Sequence, residues 1–266
     1  MHMGRIRVGI GGWTFAPWRG TFYPPGLPQK RELEHASRQL TTIEINGTYY
    51  GRQKPESFAA WAQVAPDDFV FTVKGSRFVT NRKKLAEAGE SVANFVAQGI
   101  VELGPKLGPI LWQLPHTKKF DADDIAAFFA LLPAAHEGVP LRHAIQARHD
   151  SFRDPAFVAL ACAAGVAIVY AHSPTYPELA DVTADFVYAR LETGTDEEPT
   201  GYPPAEIARW ADACRTWARG GQPEQLTYAT PEPAPVRPRD VFAFFIHGGK
   251  VRAPAAARAL MTRMAD

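Results

Sequence analysis

Long polar side chains recur at the ends of short apolar runs in this 266-residue chain. Glu44 and Asn46 alternate with two isoleucines, and Lys74 ends a run in which Phe71 and Val73 are the apolar members. Other runs end in or are followed by Gln113, Gln146, Arg148, His149, His172, Arg190 and His247. Since alternate residues of a strand share one face, the polar members should face away from the aliphatic ones.

These residue types suit acid–base chemistry on an anionic substrate. Glu44 is the predicted general base or acid, and Lys74 would tune its pKa and stabilise developing negative charge. Arg148 and Arg190 offer planar forks for a phosphate or carboxylate. Proton shuttling is assigned to His149, His172 or His247.

The charge tally of these strand ends favours an anion. Lys74, Arg148 and Arg190 oppose Glu44 and, if the alternation continues, Glu192. The sum of these charges is positive whether or not Glu192 is counted. The alternative is that these side chains only neutralise one another as a salt-bridge network, because isolated buried charges are costly.

A glycine-rich turn, Gly9-Ile10-Gly11-Gly12-Trp13, follows the first apolar run. It lets the backbone approach a ligand, so Gly12 and Trp13 are predicted ligand contacts, together with Asn46, Tyr49, Gln113 and Gln146. A tight turn covered by a small aromatic cluster is the other interpretation. The spacing is not a dinucleotide fingerprint, so no cofactor is predicted.

No metal-binding or serine-nucleophile motif is present in the sequence. Glu44, His149, His172 and His247 could in principle supply ligands, but they lack the spacing of a known metal site, and we expect no metal.

The positioning elements alternate between β and α patterns. Strands are predicted at residues 5–11, 42–46, 69–74, 110–114, 143–148, 166–172, 185–190 and 241–247. Helices are predicted at residues 29–39, 55–64, 84–102, 123–132, 155–164, 204–219 and 254–264. Such repetition predicts an α/β fold, a single-domain (β/α)₈ TIM-like barrel over residues 1–266, with an open doubly wound sheet as the alternative. Residues 173–184 are too short for a helix, and the proline-rich residues 220–239 should be irregular.

Composition and charge indicate which partners and which cellular compartment to expect. A formal net charge of +1 and an isoelectric point near 7.8 give no bulk signal for nucleic acid. Only Cys162 and Cys214 occur, which predicts a reducing compartment without disulfides. The sequence contains no apolar run that suggests a signal peptide or a membrane span, so a cytoplasmic protein is expected. The oligomeric state is left open.

Several blocks follow one another in a characteristic order: Gly-Gly-Trp at residues 11–13, residues 18–24, residues 44–50, residues 71–74, residues 103–109, residues 112–115, Arg148-His149 and residues 184–191. Together they resemble the DUF72 family, also called YecE-like proteins. The match spans nearly the whole chain and implies a TIM-like barrel without a settled reaction.

This chain departs from that family pattern at three strand ends. Many members have Glu where Gln146 stands, and Asp near His172. The last strand of family members often ends in Asn and Asp, whereas here it ends with His247. Each difference removes a carboxylate or amide and argues against carrying over a two-carboxylate or metal mechanism.

Three functions remain open at this point. The first is a hydrolase- or isomerase-type enzyme acting on a small anionic, sugar- or nucleotide-like substrate at the carboxyl ends of the strands. The second is a nuclease-like, nucleic-acid-processing barrel. The third is a non-catalytic ligand-binding module.

Overall fold

Residues 3–265 are described by a computed structural model, and parallel strands form its centre. The strands are β1 (Ile6–Gly11), β2 (Thr42–Ile45), β3 (Val70–Lys74), β4 (Leu107–Gln113), β5 (His143–Gln146), β6 in two segments (Ala167–Ile168 and Tyr170–His172), β7 (Phe186–Thr193) and β8 (Asp240–Gly248). They match the eight predicted strands, with ends shifted by up to three residues.

The strands close into a ring. Strand β1 pairs in parallel with β2 and with β8, and the remaining neighbours follow chain order. The ring closes at β6, whose first segment pairs with β5 and whose second pairs with β7. Val169 joins the two segments, and its N–H donates to the carbonyl of Ile145 at 2.9 Å. The barrel is therefore confirmed over the open sheet, although β6 is interrupted where one continuous strand was predicted.

Helices cover the outside of the barrel. They are α1 (Glu32–Gln39), α2 (Gly47–Tyr50), α3 (Pro55–Val64), α4 (Arg77–Thr80), α5 (Gly89–Val96), α6 (Ala122–Leu131), α7 (Pro155–Ala164), α8 (Pro204–Ala218) and α9 (Ala253–Ala265). As predicted, residues 173–184 and 220–239 contain neither a helix nor a strand.

The helix predicted at residues 84–102 is present only as α5 (Gly89–Val96), and the prediction of one continuous helix is wrong. The chain forms a 3₁₀ turn (Leu85–Glu87), then α5, then a second 3₁₀ segment (Ile100–Lys106). Gly99 separates the last two in the left-handed region, with φ of 106°. A β-carbon there would lie 2.7 Å from the Cα of Pro55, so the chain turns where α3 leaves room only for glycine. The helix predicted at residues 29–39 likewise starts as a 3₁₀ turn, Gln29–Arg31.

Side chains in the barrel lumen become more polar from bottom to top. At the amino-terminal end, the Arg142 guanidinium lies 5.3 Å from the ring centres of Phe186 and Phe242. The next layer contains Tyr188 and Phe244, whose ring centres are 5.0 Å apart. Above them the lumen is charged. The predicted alternation is confirmed, because outward-facing members such as Trp112 pack in a separate cluster against the helices.

The state of the cysteines and the character of the helices relate to the predicted cellular compartment. Cys162 is exposed and Cys214 is buried, and both are free thiols. Among residues 3–265, no helix has both the length and the apolar character needed to cross a bilayer.

Gly99→Ala should lower the free energy of unfolding by about 2 kcal/mol or more, since it combines a left-handed backbone with a collision against Pro55. The matched control is Gly165→Ala at the end of α7. Gly165 is also left-handed, with φ of 64°, but its β-carbon would meet open space. The control should cost only about 1 kcal/mol. Urea unfolding of both variants measures the difference, and equal losses would contradict the steric account.

Candidate functional site

A cavity of about 340 Å³ opens at the carboxyl ends of the strands. Strand alternation brings Lys74, Gln113 and Arg190 to it, and Arg148 follows β5 by two residues. Glu44 lies on the lumenal face of β2, hydrogen-bonded to Arg190. The walls of the cavity also include Asn46, Tyr49, Glu192 and His247. The predicted convergence of polar strand ends is therefore present in the structure.

Glu44 and Arg190 form a buried ion pair below the cavity. Arg190 donates from Nε to one carboxylate oxygen of Glu44 and from Nη2 to the other, both at 3.2 Å. Tyr188 donates its hydroxyl to the same carboxylate at 2.7 Å. Glu44 is fully buried and does not line the cavity. These donors occupy both oxygens of the carboxylate, so Glu44 is held below the cavity by Arg190 and Tyr188.

Arg190 uses two further donors within the protein. Its Nη1 donates to Gln146 at 2.7 Å and to Glu192 at 2.8 Å. Gln113 donates to the same Gln146 oxygen at 2.7 Å. Arg190 is thus shared by two carboxylates, and it is not the free anion fork that the sequence suggested.

Lys74 reaches the cavity from β3 with only 9% of its surface exposed. Its ammonium lies over the ring of Tyr49, 4.7 Å from the centroid. Among residues 3–265, no carboxylate lies within ion-pair distance of it. Burial, aided by repulsion from Arg190 and Arg148, lowers the pKa of Lys74 from 10.5 to about 8.

Arg148 is another cation of the cavity wall that forms no ion pair with a carboxylate of residues 3–265. Its guanidinium lies over the ring of Tyr176, 4.3 Å from the centroid. The Nε atom is buried and has no hydrogen-bond partner. Burial and the nearby Arg190 lower the pKa of Arg148 from its ordinary value. One oxygen of Glu192, Oε2, is also buried without a partner beside this cavity.

The rim of the cavity is formed by loops and strand ends. Asn46 and Tyr49 lie at α2, immediately after β2. His247 is exposed near the end of β8 with φ of 78°, a conformation that is uncommon for a residue other than glycine. Lys250 packs its ammonium 4.3 Å from the ring centre of Phe15. These groups would contact the outer part of a ligand.

Two predicted histidines lie away from the cavity. His149 begins a 3₁₀ turn, where its Nδ1 accepts from the backbone N–H of Ser151 at 3.1 Å. His172 faces the helices, with its ring centre 4.8 Å from that of Trp210 and its Nδ1 2.9 Å from the Thr193 hydroxyl. Strand β6 directs Tyr170 and His172 outward, so the lumenal position between them belongs to Ala171.

The glycine turn also contributes less than expected. The N–H of Gly12 donates to the carbonyl of Glu44 at 2.9 Å and is therefore unavailable to a ligand. Trp13 packs edge-on against Trp61, 5.1 Å between centroids, in the layer between barrel and helices. Gly11 is the member of the turn that lines the cavity. Trp13 therefore fits the other interpretation of this segment, a tight turn covered by a small aromatic cluster.

The four side chains considered as metal ligands do not assemble. Glu44 is bound to Arg190, while His149, His172 and His247 lie at separate places. Within residues 3–265, no group of three His, Cys, Asp or Glu side chains has the arrangement that could hold a metal ion.

Sequence reasoning missed two tyrosines that complete the site. Tyr188 lies two residues before Arg190 on the same face of β7, and the alternation could have assigned it to Glu44. Burial and Glu44 raise its pKa well above the ordinary value, so it remains a hydrogen-bond donor. Tyr176 comes from an irregular loop, and no pattern in the sequence indicates its contact with Arg148.

Glu44→Gln should lower the free energy of unfolding by about 3 kcal/mol, because it removes a counter-ion from the enclosed Arg190. Tyr188→Phe is the control, since it keeps the ion pair and removes only the hydroxyl that bonds Glu44 and Thr72, which should cost about 1–2 kcal/mol. Urea unfolding measures both. A glutamine variant as stable as the unchanged protein would refute the structural role.

Lys74→Met should raise the free energy of unfolding at pH 7 by up to about 3 kcal/mol, from a pKa shift of roughly two units at about 1.4 kcal/mol each. The pKa of Lys74 is lower in the folded state than in the unfolded state. Lys74 therefore destabilises the folded protein fully below pH 8, and this destabilisation decreases as the pH rises from about 8 towards 10.5. The gain of the variant should shrink over that window.

Lys106→Met is the matched control, because Lys106 is buried but donates to the carbonyls of Ala62 at 2.6 Å and Ala65 at 2.7 Å. That variant should be destabilised. Thermal unfolding across the pH range separates the two, and a pH-independent effect of Lys74→Met would contradict the electrostatic explanation.

Known proteins share this fold and parts of this sequence. The UPF0759 protein YecE of Escherichia coli K12 is 27% identical over 142 residues, which are 52% of this chain and 48% of YecE. The chain therefore spans about half the length of the curated relatives that it matches.

Solved structures of DUF72 family proteins superpose on nearly the whole chain. One from Thermotoga maritima has a TM-score of 0.73 at 22% identity and covers 97% of each chain. One from Enterococcus faecalis V583 has a TM-score of 0.71 at 17% identity and covers 100% of each chain. SacUVDE has a TM-score of 0.56 at 9% identity, over 97% of this chain and 98% of SacUVDE. At these identities the likeness shows the fold alone.

The family model described as "Protein of unknown function DUF72" matches residues 7–266. This match confirms the resemblance seen in the sequence blocks, and the barrel agrees with the solved structures of the family. The chain belongs to the DUF72 family.

Proposed function

We propose that this protein is an enzyme of hydrolase or isomerase type that binds a small anionic, sugar- or nucleotide-like substrate at the barrel mouth. One observation carries the proposal. Lys74 and Arg148 line one cavity, and no carboxylate of residues 3–265 lies within ion-pair distance of either cation. Arg190, which also lines the cavity, already has Glu44 and Glu192, and Lys250 is exposed at the rim.

An anion would relieve this imbalance. Buried cations without partners are costly, and the cost is recovered when a ligand supplies the missing charge and hydrogen bonds. The Nε of Arg148 has no hydrogen-bond partner, and Arg148 lines the cavity, so its guanidinium can bind a phosphate or carboxylate oxygen. The salt-bridge network considered as the alternative is present, but it neutralises only Arg190. Lys74 and Arg148 do not take part in it.

The size of the cavity favours a small molecule. A volume of about 340 Å³ is at the lower end of the range for ligand pockets. Tyr49 and Tyr50 meet edge to face at its rim with centroids 5.0 Å apart, and Tyr50 is 65% exposed. An exposed ring at the mouth can stack on the face of a sugar or a base.

The same cavity has groups that can move a proton. Lys74, with a pKa of about 8, populates both its charged and its neutral form near neutral pH. Glu192 presents an oxygen without a hydrogen-bond partner. This pair replaces Glu44 as the proposed acid–base machinery, and the exposed His247 can serve the outer part of the substrate.

Arg148→Gln should weaken the binding of inorganic phosphate or a sugar phosphate about ten- to a hundredfold, the effect of losing one charged hydrogen bond. Binding to the unchanged protein should be strongest below pH 8 and weaken above it, as Lys74 loses its proton. Calorimetric titration in a phosphate-free buffer measures both. Arg77→Gln is the control, because it makes the same charge change on an exposed residue of α4 outside the cavity.

Failure of phosphate, sulfate and sugar phosphates to bind at millimolar concentration would refute the proposal. An equal loss in both arginine variants would show a general charge effect in place of a site. A single-stranded oligonucleotide that binds tightly where mononucleotides do not would favour the nucleic-acid-processing alternative. Tight binding without turnover of any anion tested would favour the non-catalytic module.

A further inference from the structure

Three lysines have largely buried side chains, and two of them are explained by their contacts. Lys106 donates to two backbone carbonyls, and Lys118 forms an ion pair with Asp124. Lys74 has no such partner among residues 3–265. Its nitrogen faces the cavity above the ring of Tyr49, where nothing in the described protein engages its lone pair or its protons.

We propose that Lys74 is a nucleophile that forms a Schiff base with the carbonyl carbon of an anionic aldehyde or ketone. This inference rests on the proposed function and specifies its substrate class. The geometry supports it because Lys74 and Arg148 line the same small cavity. Arg148 binds the phosphate or carboxylate of the substrate while its carbonyl group meets Lys74.

The step balances without an added oxidant or reductant. The lone pair of neutral Lys74 attacks the carbonyl carbon, and the carbonyl π electrons move to oxygen. A proton passes from nitrogen to that oxygen, giving a carbinolamine. A second proton lets the hydroxyl leave as water, and the nitrogen lone pair forms the C=N bond of a protonated imine. Glu192 lines the same cavity, and we assign it as the acceptor and donor for these protons.

The surroundings of Lys74 favour its neutral form. Glu44 from β2, Arg148 after β5, and Arg190 and Glu192 from β7 all act on it, and burial outweighs the attraction of the two carboxylates. With a pKa of about 8, about a quarter of the lysine is neutral at pH 7.5. An ordinary lysine has about one neutral molecule in a thousand at that pH.

Reductive trapping tests the proposal on the full chain. The protein is incubated at pH 7.5 with pyruvate or glycolaldehyde phosphate and sodium cyanoborohydride, and peptide mass mapping locates the stable secondary amine. We expect Lys74 to be labelled at least tenfold faster than Lys106 and Lys250, the latter an exposed lysine at the same mouth. Labelling of Lys74 should rise to a plateau around pH 8, and inorganic phosphate should compete.

Variants separate the two parts of the idea. Lys74→Arg keeps the positive charge and should lose the label while still binding phosphate. Arg148→Gln should slow labelling by the anionic carbonyls about tenfold more than labelling by neutral acetone, which loses only the contribution of Arg148 to the lowered pKa of Lys74. If anions bind through Arg148 but labelling is uniform over the lysines or avoids Lys74, the Schiff-base inference is wrong and the anion site stands. Selective labelling of Lys74 without any anion binding would refute the anion-site proposal instead. Mapping of the unchanged protein decides the matter even if a variant does not fold.

Discussion

The buried Arg190 side chain holds the barrel mouth together. It connects β7 to β2 through Glu44 and to β5 through Gln146, and it also binds Glu192 on its own strand. A guanidinium in the lumen of a barrel is tolerated only when its charge and its donors are satisfied. Two carboxylates and one amide oxygen meet that demand, and they thereby fix the side chains that form the floor of the cavity.

Satisfying Arg190 leaves the rest of the cavity positively charged. The two lumenal carboxylates are both directed at that one arginine, so neither forms an ion pair with Lys74 or Arg148. The repulsion from Arg190 then adds to burial in lowering the pKa of both cations. Ground-state strain of this kind reduces stability and is typical of functional sites, where a ligand relieves it.

The sequence predicted the barrel because periodicity and element order are local properties. It also predicted which side of β2, β3 and β7 is polar, since alternation alone places Glu44, Lys74 and Arg190 in the lumen. It could not predict how these groups share their bonds, because that depends on distances between strands far apart in sequence. His172 shows a related limit. It ends its strand with a reactive side chain, but its parity directs it toward Trp210 on α8.

Features that depend on loops were the hardest to predict from the sequence. The 3₁₀ and helical pieces at residues 85–106 depend on Gly99 passing close to Pro55, a contact between segments that local propensity does not contain. Tyr176 stacks on Arg148 from a stretch without any periodic pattern. Both are tertiary contacts that override or replace local preference.

Gln146 shows why the charge of this floor matters for the chemistry above it. Its amide oxygen accepts from Arg190 and Gln113, and its nitrogen lies 3.5 Å from Glu192, so a neutral group sits at the centre of the network. A carboxylate at this position would crowd Glu192 with a like charge and would add negative potential near Lys74. That potential would favour the ammonium form of the lysine. The amide therefore helps to keep Lys74 partly neutral near physiological pH, at the end of a barrel whose mouth is held by the pairing of Glu44 with Arg190.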